Sequence, residues 1–430
     1  MWRSAVLAAD SQEDRSWYLK VLLESLRATK PPNSSFDGKD VDCSPLLGEL
    51  ILVSGKSPSW NDIPEELAAL TMLTALTIQH HPNQVRLEQL ERLSALTALK
   101  SLKVDAALTA FPPEVLNQLQ QLTQLNLHQQ SRPSDALGVI KLGAAHSSTC
   151  TALRRLEVEG IVLTLSRQEA RMVWEATLQH FSIAPASRSQ NAGFWDALPS
   201  LSQLTSLSID GFTNELSGRV NALLPACQAL QQLHLGQYTG EAIAQLPSSL
   251  TRLSVSGSEQ LRLLPASPRL RSLRLHMCTS LAEAPPEVVD LVHLTSLQLV
   301  QCQLRELPQG VAALPRLEVV DLSGNEALSE LPLGLACLPS LRELCLSACG
   351  FSRVPSVLGG GQATSLELLD MSGCVDLTLD DAGLAVLSSL TALTCLKWND
   401  VPLGEGGRDE ARLRYALPQG CDLECGEVEL

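Results

Sequence analysis

Leu294-Thr-Ser-Leu297-Gln-Leu299-Val-Gln-Cys302-Gln-Leu304-Arg-Glu-Leu307-Pro308 is the stretch whose pattern decides the fold. Its opening reads L-x-x-L-x-L. The alternation around Leu297 and Leu299 is that of a short strand, with leucines turned inward and the residues between them turned to solvent. After Pro308 the pattern changes to P-x-x-ϕ-x-x-L-x-x-L, as Pro308-x-x-Val311-x-x-Leu314-x-x-Leu317. Spacings of three place these apolar side chains on one side of a short helix or 3-10 turn, and the proline pre-sets its first φ.

Working outward, the same strand pattern recurs along the chain. The middle apolar residue of each copy is Leu50, Leu76, Leu102, Leu125, Leu156, Phe181, Leu207, Leu233, Leu253, Leu273, Leu297, Val320, Leu344, Leu369 and Leu396. Successive markers lie 20 to 31 residues apart, which makes 15 repeats. The returning half recurs as Pro64-x-x-Leu67, Pro285-x-x-Val288 and Pro332-x-x-Leu335, each followed by two leucines at spacings of three. One such unit cannot enclose its own leucines, whereas stacked units share a continuous core. At roughly 1.5–3 kcal/mol per buried leucine, three or more per unit offset the chain entropy only in an array.

The joint motif resembles the leucine-rich-repeat superfamily, and within it the intracellular Ras-group and plant disease-resistance types, over about residues 44–425. The resemblance implies an α/β solenoid: a horseshoe with a parallel concave β-sheet, convex short helices or 3-10 turns, and a role in protein–protein recognition. The ninth position of the family's motif usually holds Asn or Cys, whose polar group bonds neighbouring backbone. Here it is Cys278, Cys302, Asn325, Cys349 and Cys374, drifting elsewhere to His81, Ala107, Ile161, Tyr238 and Ser258.

Residues 1–43 precede the repeats. Ser11 to Arg27 reads as a helix with Trp17, Val21, Leu22 and Leu26 on one face, fit to cap an open core. The Pro31-Pro32 and Asn33-Ser34-Ser35 segment reads as a loop. In the long intervals, Ala136–Leu142 and Ser166–His180 read as convex helices, and Gly359-Gly360-Gly361 as a convex loop. Arg412 to Leu423 resembles a closing half-repeat, and 426–430 is a tail.

Aromatic residues are 3% of the chain, so aliphatics must fill the core. The net charge of −15 argues against nucleic acid or an anionic membrane as the main partner, since both require a basic footprint. No apolar run reaches the roughly 18 residues of a membrane span, and Ala5–Ala9 is too short a run for a signal peptide. The 12 scattered cysteines read as reduced thiols of a cytosolic protein, expected to be a monomer.

Chemical motifs are weak. Gly55-Lys56-Ser57 looks like the end of a phosphate-binding loop, but Leu50 stands where its first glycine belongs. Cys345-x₃-Cys349 and Cys421-x₃-Cys425 lack a second pair at zinc-finger spacing, and His80-His81 reads as solvated loop. No catalytic residue, cofactor or metal site is expected. The best candidate site is the concave face, where Arg155, His234, Arg252, Arg271, Arg274 and His276 make a basic group. Glu318, Asp321, Glu343 and Asp370 make an acidic one. The expectation is a non-catalytic scaffold holding a protein partner there. The alternatives are a substrate-recognition subunit of a ubiquitin ligase docking through residues 1–43, a cytoskeletal or ciliary component, and an enzyme built on the insertions near 161–200.

Overall fold

The computed structural model describes residues 4–9, 21, 47–54, 62–79, 87–108, 110–129, 139–141, 152–160, 162–164, 177–184, 195, 198–265, 267–281, 283–359, 363, 365–402 and 408–426. The chain divides into two compact units, Met1–Ile209 and Asp210–Leu430.

In the first unit, every neighbouring pair of strands in the main sheet is parallel. β1 (Ser4–Ala9) pairs with β2 (Glu49–Ser54), which pairs with β3 (Ala75–Gln79). β4 (Ser101–Ala106) follows; next to it lies not β5 (Ala110–Phe111) but β6 (Gln124–Gln129). β5 instead joins β7 (Val139–Lys141) and β9 (Val162–Thr164) in a separate three-stranded sheet. The main sheet continues from β6 through β8 (Arg155–Glu159) and β10 (His180–Ala184) to β11 (Ser206–Asp210). α1 (Pro113–Gln118) lies between β5 and β6.

Three of these elements depart from the sequence reading. Ser4–Ala9 is a strand ahead of the first repeat marker. Val139–Lys141 is a strand, not part of a helix; β-branched Val139 and Ile140 suit a pleated ladder, and Phe111 is the register partner of Ile140. His180, read as a helix end, opens β10, while residues 166–176 lie outside the described residues. The proposed helix over 11–27, the loop at 28–42 and Gly360-Gly361 also lie outside them, save Val21, which is helical and exposed.

In the second unit the parallel ladder runs in chain order. It comprises β12 (Gln232–Gly236), β13 (Arg252–Ser256), β14 (Ser272–His276), β15 (Ser296–Val300) and β16 (Val319–Asp321). It ends with β17 (Glu343–Cys345), β18 (Leu368–Asp370), β19 (Cys395–Lys397) and β20 (Asp422–Glu424). The returning halves are 3-10 turns, such as Pro286–Asp290 after Pro285 and Gln309–Ala313 after Pro308. Three helices interrupt this regularity: α2 (Asn214–Leu223), α3 (Asp381–Ser389) and α4 (Arg408–Ala416). Thr213 and Asp380 cap α2 and α3 by accepting from Leu216 N–H and Gly383 N–H.

All 15 marker residues are at most 2% exposed, so the interior is the expected one. Neighbouring coils are tied by a second device. The residue after the first leucine of the motif is often Thr, and its hydroxyl donates to the preceding coil's carbonyl. Thr74 reaches Gly48 O at 2.7 Å, Thr123 reaches Lys100 O at 3.0 Å, and Thr295 reaches Arg271 O at 3.0 Å. This explains the recurrent Leu-Thr pairs of the sequence.

Candidate functional site

Because strand side chains alternate, each inward leucine leaves its neighbours on the solvent side of the sheet. The ladder register then sorts those neighbours into columns. In the second unit, the middle column runs His234, Ser254, Arg274, Gln298, Asp321, Cys345 and Asp370. The column one step earlier holds Arg252 and Glu343, and the one after holds His276.

Of the ten candidate residues, seven therefore share the solvent face of the second unit: His234, Arg252, Arg274, His276, Asp321, Glu343 and Asp370. Two were misassigned to strands. Arg271 and Glu318 sit one residue before β14 and β16, at the place threonine holds in other coils. Their carbonyls each accept two amides from the next coil, Thr295 and Ser296 on Arg271, Arg342 and Glu343 on Glu318. Both side chains are exposed beside the face. Arg155 lies in the first unit, on β8.

On β6, β8 and β10 of the first unit charge is largely paired locally, while Lys103 on β4 stands exposed without an ion pair among the described residues. Glu157 accepts from Asn126 Nδ2 at 2.6 Å and from Arg155 Nε at 2.7 Å, and lies 3.3 Å from His180 Nε2. His128 stands between Asp105, at 2.9 Å, and Glu159, at 3.6 Å. Burial, followed by the Arg155 guanidinium, lowers the His180 pKa, against the pull of Glu157. The sequence reading placed Arg155 in a basic group on the sheet's solvent side and did not foresee this network. Its signal was available: Asp105, His128 and Glu159 occupy matching offsets in three adjacent strands.

In the second unit, charge is sorted by sign. Arg252, Arg271 and Arg274 are exposed and make no ion pair among the described residues. Glu318 and Glu343 are likewise exposed and unpaired there. The acidic side is dense enough to act on a neighbour. Burial first, and then the carboxylates of Asp321, Asp370 and Glu343, push the Cys345 thiol up to about 12. Its thiolate is therefore suppressed at neutral pH. His234 has its pKa lowered mainly by burial, with Asp210 raising and Arg274 lowering it; it contacts Ser254 Oγ at 3.0 Å. Further along, Lys397 and Glu424 pair at 3.5 Å.

Behind the face, the ninth-position residues form an interior ladder. Cys302, Cys349 and Cys374 donate to Leu275, Leu322 and Leu346 carbonyls at 3.4, 3.2 and 3.3 Å. Asn325 accepts from the amides of Cys302 and Leu304 and donates to the carbonyls of Leu299 and Leu322. These residues serve the backbone. Among the described residues, no three His, Cys, Asp or Glu side chains are gathered so as to hold a metal. No described helix is long and apolar enough to cross a membrane.

Residues 292–351 match the family described as Leucine rich repeat. No curated protein sequence matches the chain. Among solved structures, the chain is similar to a leucine-rich-repeat protein of Leptospira interrogans, with 18% identity and a TM-score of 0.50. That alignment covers 97% of this chain and 99% of the other. It also resembles an internalin of Listeria monocytogenes, at 16% identity, 94% coverage of each chain and a TM-score of 0.47. Residues 292–351 thus carry leucine-rich repeats, and the fold of the chain is that of a leucine-rich-repeat solenoid. Leucine-rich-repeat arrays are as a class protein-interaction scaffolds.

Proposed function

We propose that this protein is a non-catalytic scaffold that holds a protein partner on the solvent face of the sheet formed by β12–β18. The observation that carries the reading is the contrast between faces. Arg155 in the first unit is neutralised by Glu157, whereas Arg252 and Arg274 stand exposed with no opposing carboxylate among the described residues. Charges held by a rigid sheet and left without counter-charges favour a partner that supplies them, through faster encounter and through specificity. The ladder fixes their spacing, at about 4.8 Å per strand, so recognition requires no reordering of the face.

The test is capture of partners on immobilised protein from lysate of the source cells, comparing the wild type with R252E/R274E. Both side chains are exposed, so the variant should retain its circular dichroism and melting temperature. Capture of the specific partner should fall at least tenfold. Undiminished capture by a folded variant would remove this face from the interface.

A further inference from the structure

We infer that the partner seated on this face is an extended segment of another protein, lying across the strands, with carboxylates over β13 and β14 and ammonium or guanidinium groups over β16 and β17. The inference rests on the reading of β12–β18 as a docking face and deepens it by naming the chemistry of the occupant.

Three rows of residues cross the strands here. The first is Arg271, Thr295 and Glu318, tied by hydrogen bonds from Thr295 N–H to Arg271 O and from Glu318 N–H to Thr295 O. The second, in ladder register, is Arg252, Ser272, Ser296, Val319 and Glu343. The third is Arg274, Gln298 and Asp321. Rows one and three lie three residues apart along each strand, about 10 Å. Between them the small side chains of Ser272, Ser296 and Val319 floor a lane. Arg271 and Arg274 flank one end of the lane, Glu318 and Asp321 the other, and Arg252 and Glu343 stand beyond its two ends. The Asp321 carboxylate is held by Ser323, which donates to Oδ1 from its amide at 3.1 Å and from its hydroxyl at 2.7 Å.

The neutral strand β15 keeps the opposite charges two strand spacings, about 10 Å, apart. No ion pair joins these arginines to these carboxylates among the described residues. Solubility requires charge but not its separation by sign, and in the first unit opposite charges on adjacent strands pair. The strand side of a leucine-rich-repeat solenoid is the inside of its curve, which admits a slender segment and excludes a broad surface. An extended chain rises about 3.3 Å per residue and leans successive side chains to opposite sides. Two consecutive acidic residues therefore reach Arg271 and Arg274. Three residues on, about 10 Å, two consecutive basic residues reach Glu318 and Asp321. One more acidic residue in front and one more basic residue behind complete a span of about 20 Å, against the roughly 19 Å of four strand spacings from Arg252 to Glu343. The matching order is three acids, one neutral residue above Ser296, and three bases. A helix, at about 1.5 Å per residue and 10–12 Å across, would need about 13 residues for that span and would overfill the lane.

The test is fluorescence anisotropy of two capped heptapeptides carrying an uncharged fluorophore, titrated with the full chain to several hundred micromolar. One peptide has three glutamates, an alanine and three lysines in that order; the other has the same residues with the signs alternating. Neither has net charge, so the chain's −15 neither draws nor repels them, and any difference reports charge order. The ordered peptide should bind at least fivefold more tightly and weaken as added salt screens the contacts. R252E/R274E and E318R/E343R alter only exposed side chains, and each should remove the preference while circular dichroism is unchanged. The exchanged chain R252E/R274E/E318R/E343R should regain it with the peptide reversed. A photoreactive group on the glutamate end should then crosslink near β16 and β17 instead of β13 and β14. Three results overturn the proposal: no binding of the ordered peptide by the wild type, equal binding of the two peptides, or a preference that survives both double variants. If it is overturned while partner capture still depends on Arg252 and Arg274, the docking face stands without this occupant; if capture is also indifferent, both fall.

Discussion

Asn325 has no exposed surface and makes four hydrogen bonds, two accepted from backbone amides and two donated to backbone carbonyls, three of them to the preceding coil and one, to Leu322 O, within its own. N325A would leave the Cys302 and Leu304 amides and the Leu299 carbonyl buried without this partner, while Leu322 O keeps the Cys349 thiol. At about 1–3 kcal/mol for each unsatisfied group, partly relieved by relaxation, the loss should be roughly 3 kcal/mol or more in chemical denaturation. N325C should cost less, because a thiol in this position donates to a carbonyl in neighbouring coils, as Cys302 and Cys349 do. Equal loss in both variants would show that the ladder does not share one geometry. At this scale the sequence was partly legible. The ninth-position residues could be recognised because their spacing from the strand is constant. The partners of Arg155 could not, since pairing depends on which strands lie side by side and on rotamers that a periodic pattern does not encode.

The coil is the repeating element, and its sharpest constraint lies just after the strand. In the second unit, one residue per coil there has positive φ: Gln237, Gly257, Met277, Gln301, Gly324, Ala348, Gly373 and Asp400, between 52° and 75°. Only some are glycine, which is why the pattern of residue types did not reveal the turn. A side chain in this conformation costs about 1 kcal/mol. A Cβ at Gly373 would meet nothing nearer than 3.5 Å, and Ala348 already occupies the equivalent place one coil earlier. G373A should therefore lower stability by about 1 kcal/mol with no change in fold. A loss of several kcal/mol would mean that crowding, not backbone conformation, governs the turn. The L-x-x-L-x-L strands were readable because two inward leucines per strand force period 2. Val139–Lys141 was misread because so short an apolar run carries no periodicity that distinguishes strand from helix.

At the scale of the whole molecule, both units are built on parallel strand ladders of the same construction, and the charge on their solvent sides differs. In the first unit, carboxylates, histidines and Arg155 satisfy one another. In the second, over the strands β12–β18, the solvent-side arginines and histidines precede β15 and the solvent-side carboxylates follow it. The sequence revealed the charges and their strand offsets, and hence the two patches. It did not reveal which face keeps its charge available. The most direct measurement is site-specific photo-crosslinking in source-cell lysate, with a benzophenone amino acid placed singly at Ser254 or Gln298 of the second unit, or at Thr77 or Asn126 of the first. All four are solvent-side strand positions. The account predicts a discrete crosslinked product from Ser254 and Gln298, abolished by R252E/R274E, and none from Thr77 or Asn126. Specific products from the first unit alone, or products from Ser254 and Gln298 that survive R252E/R274E, would contradict it.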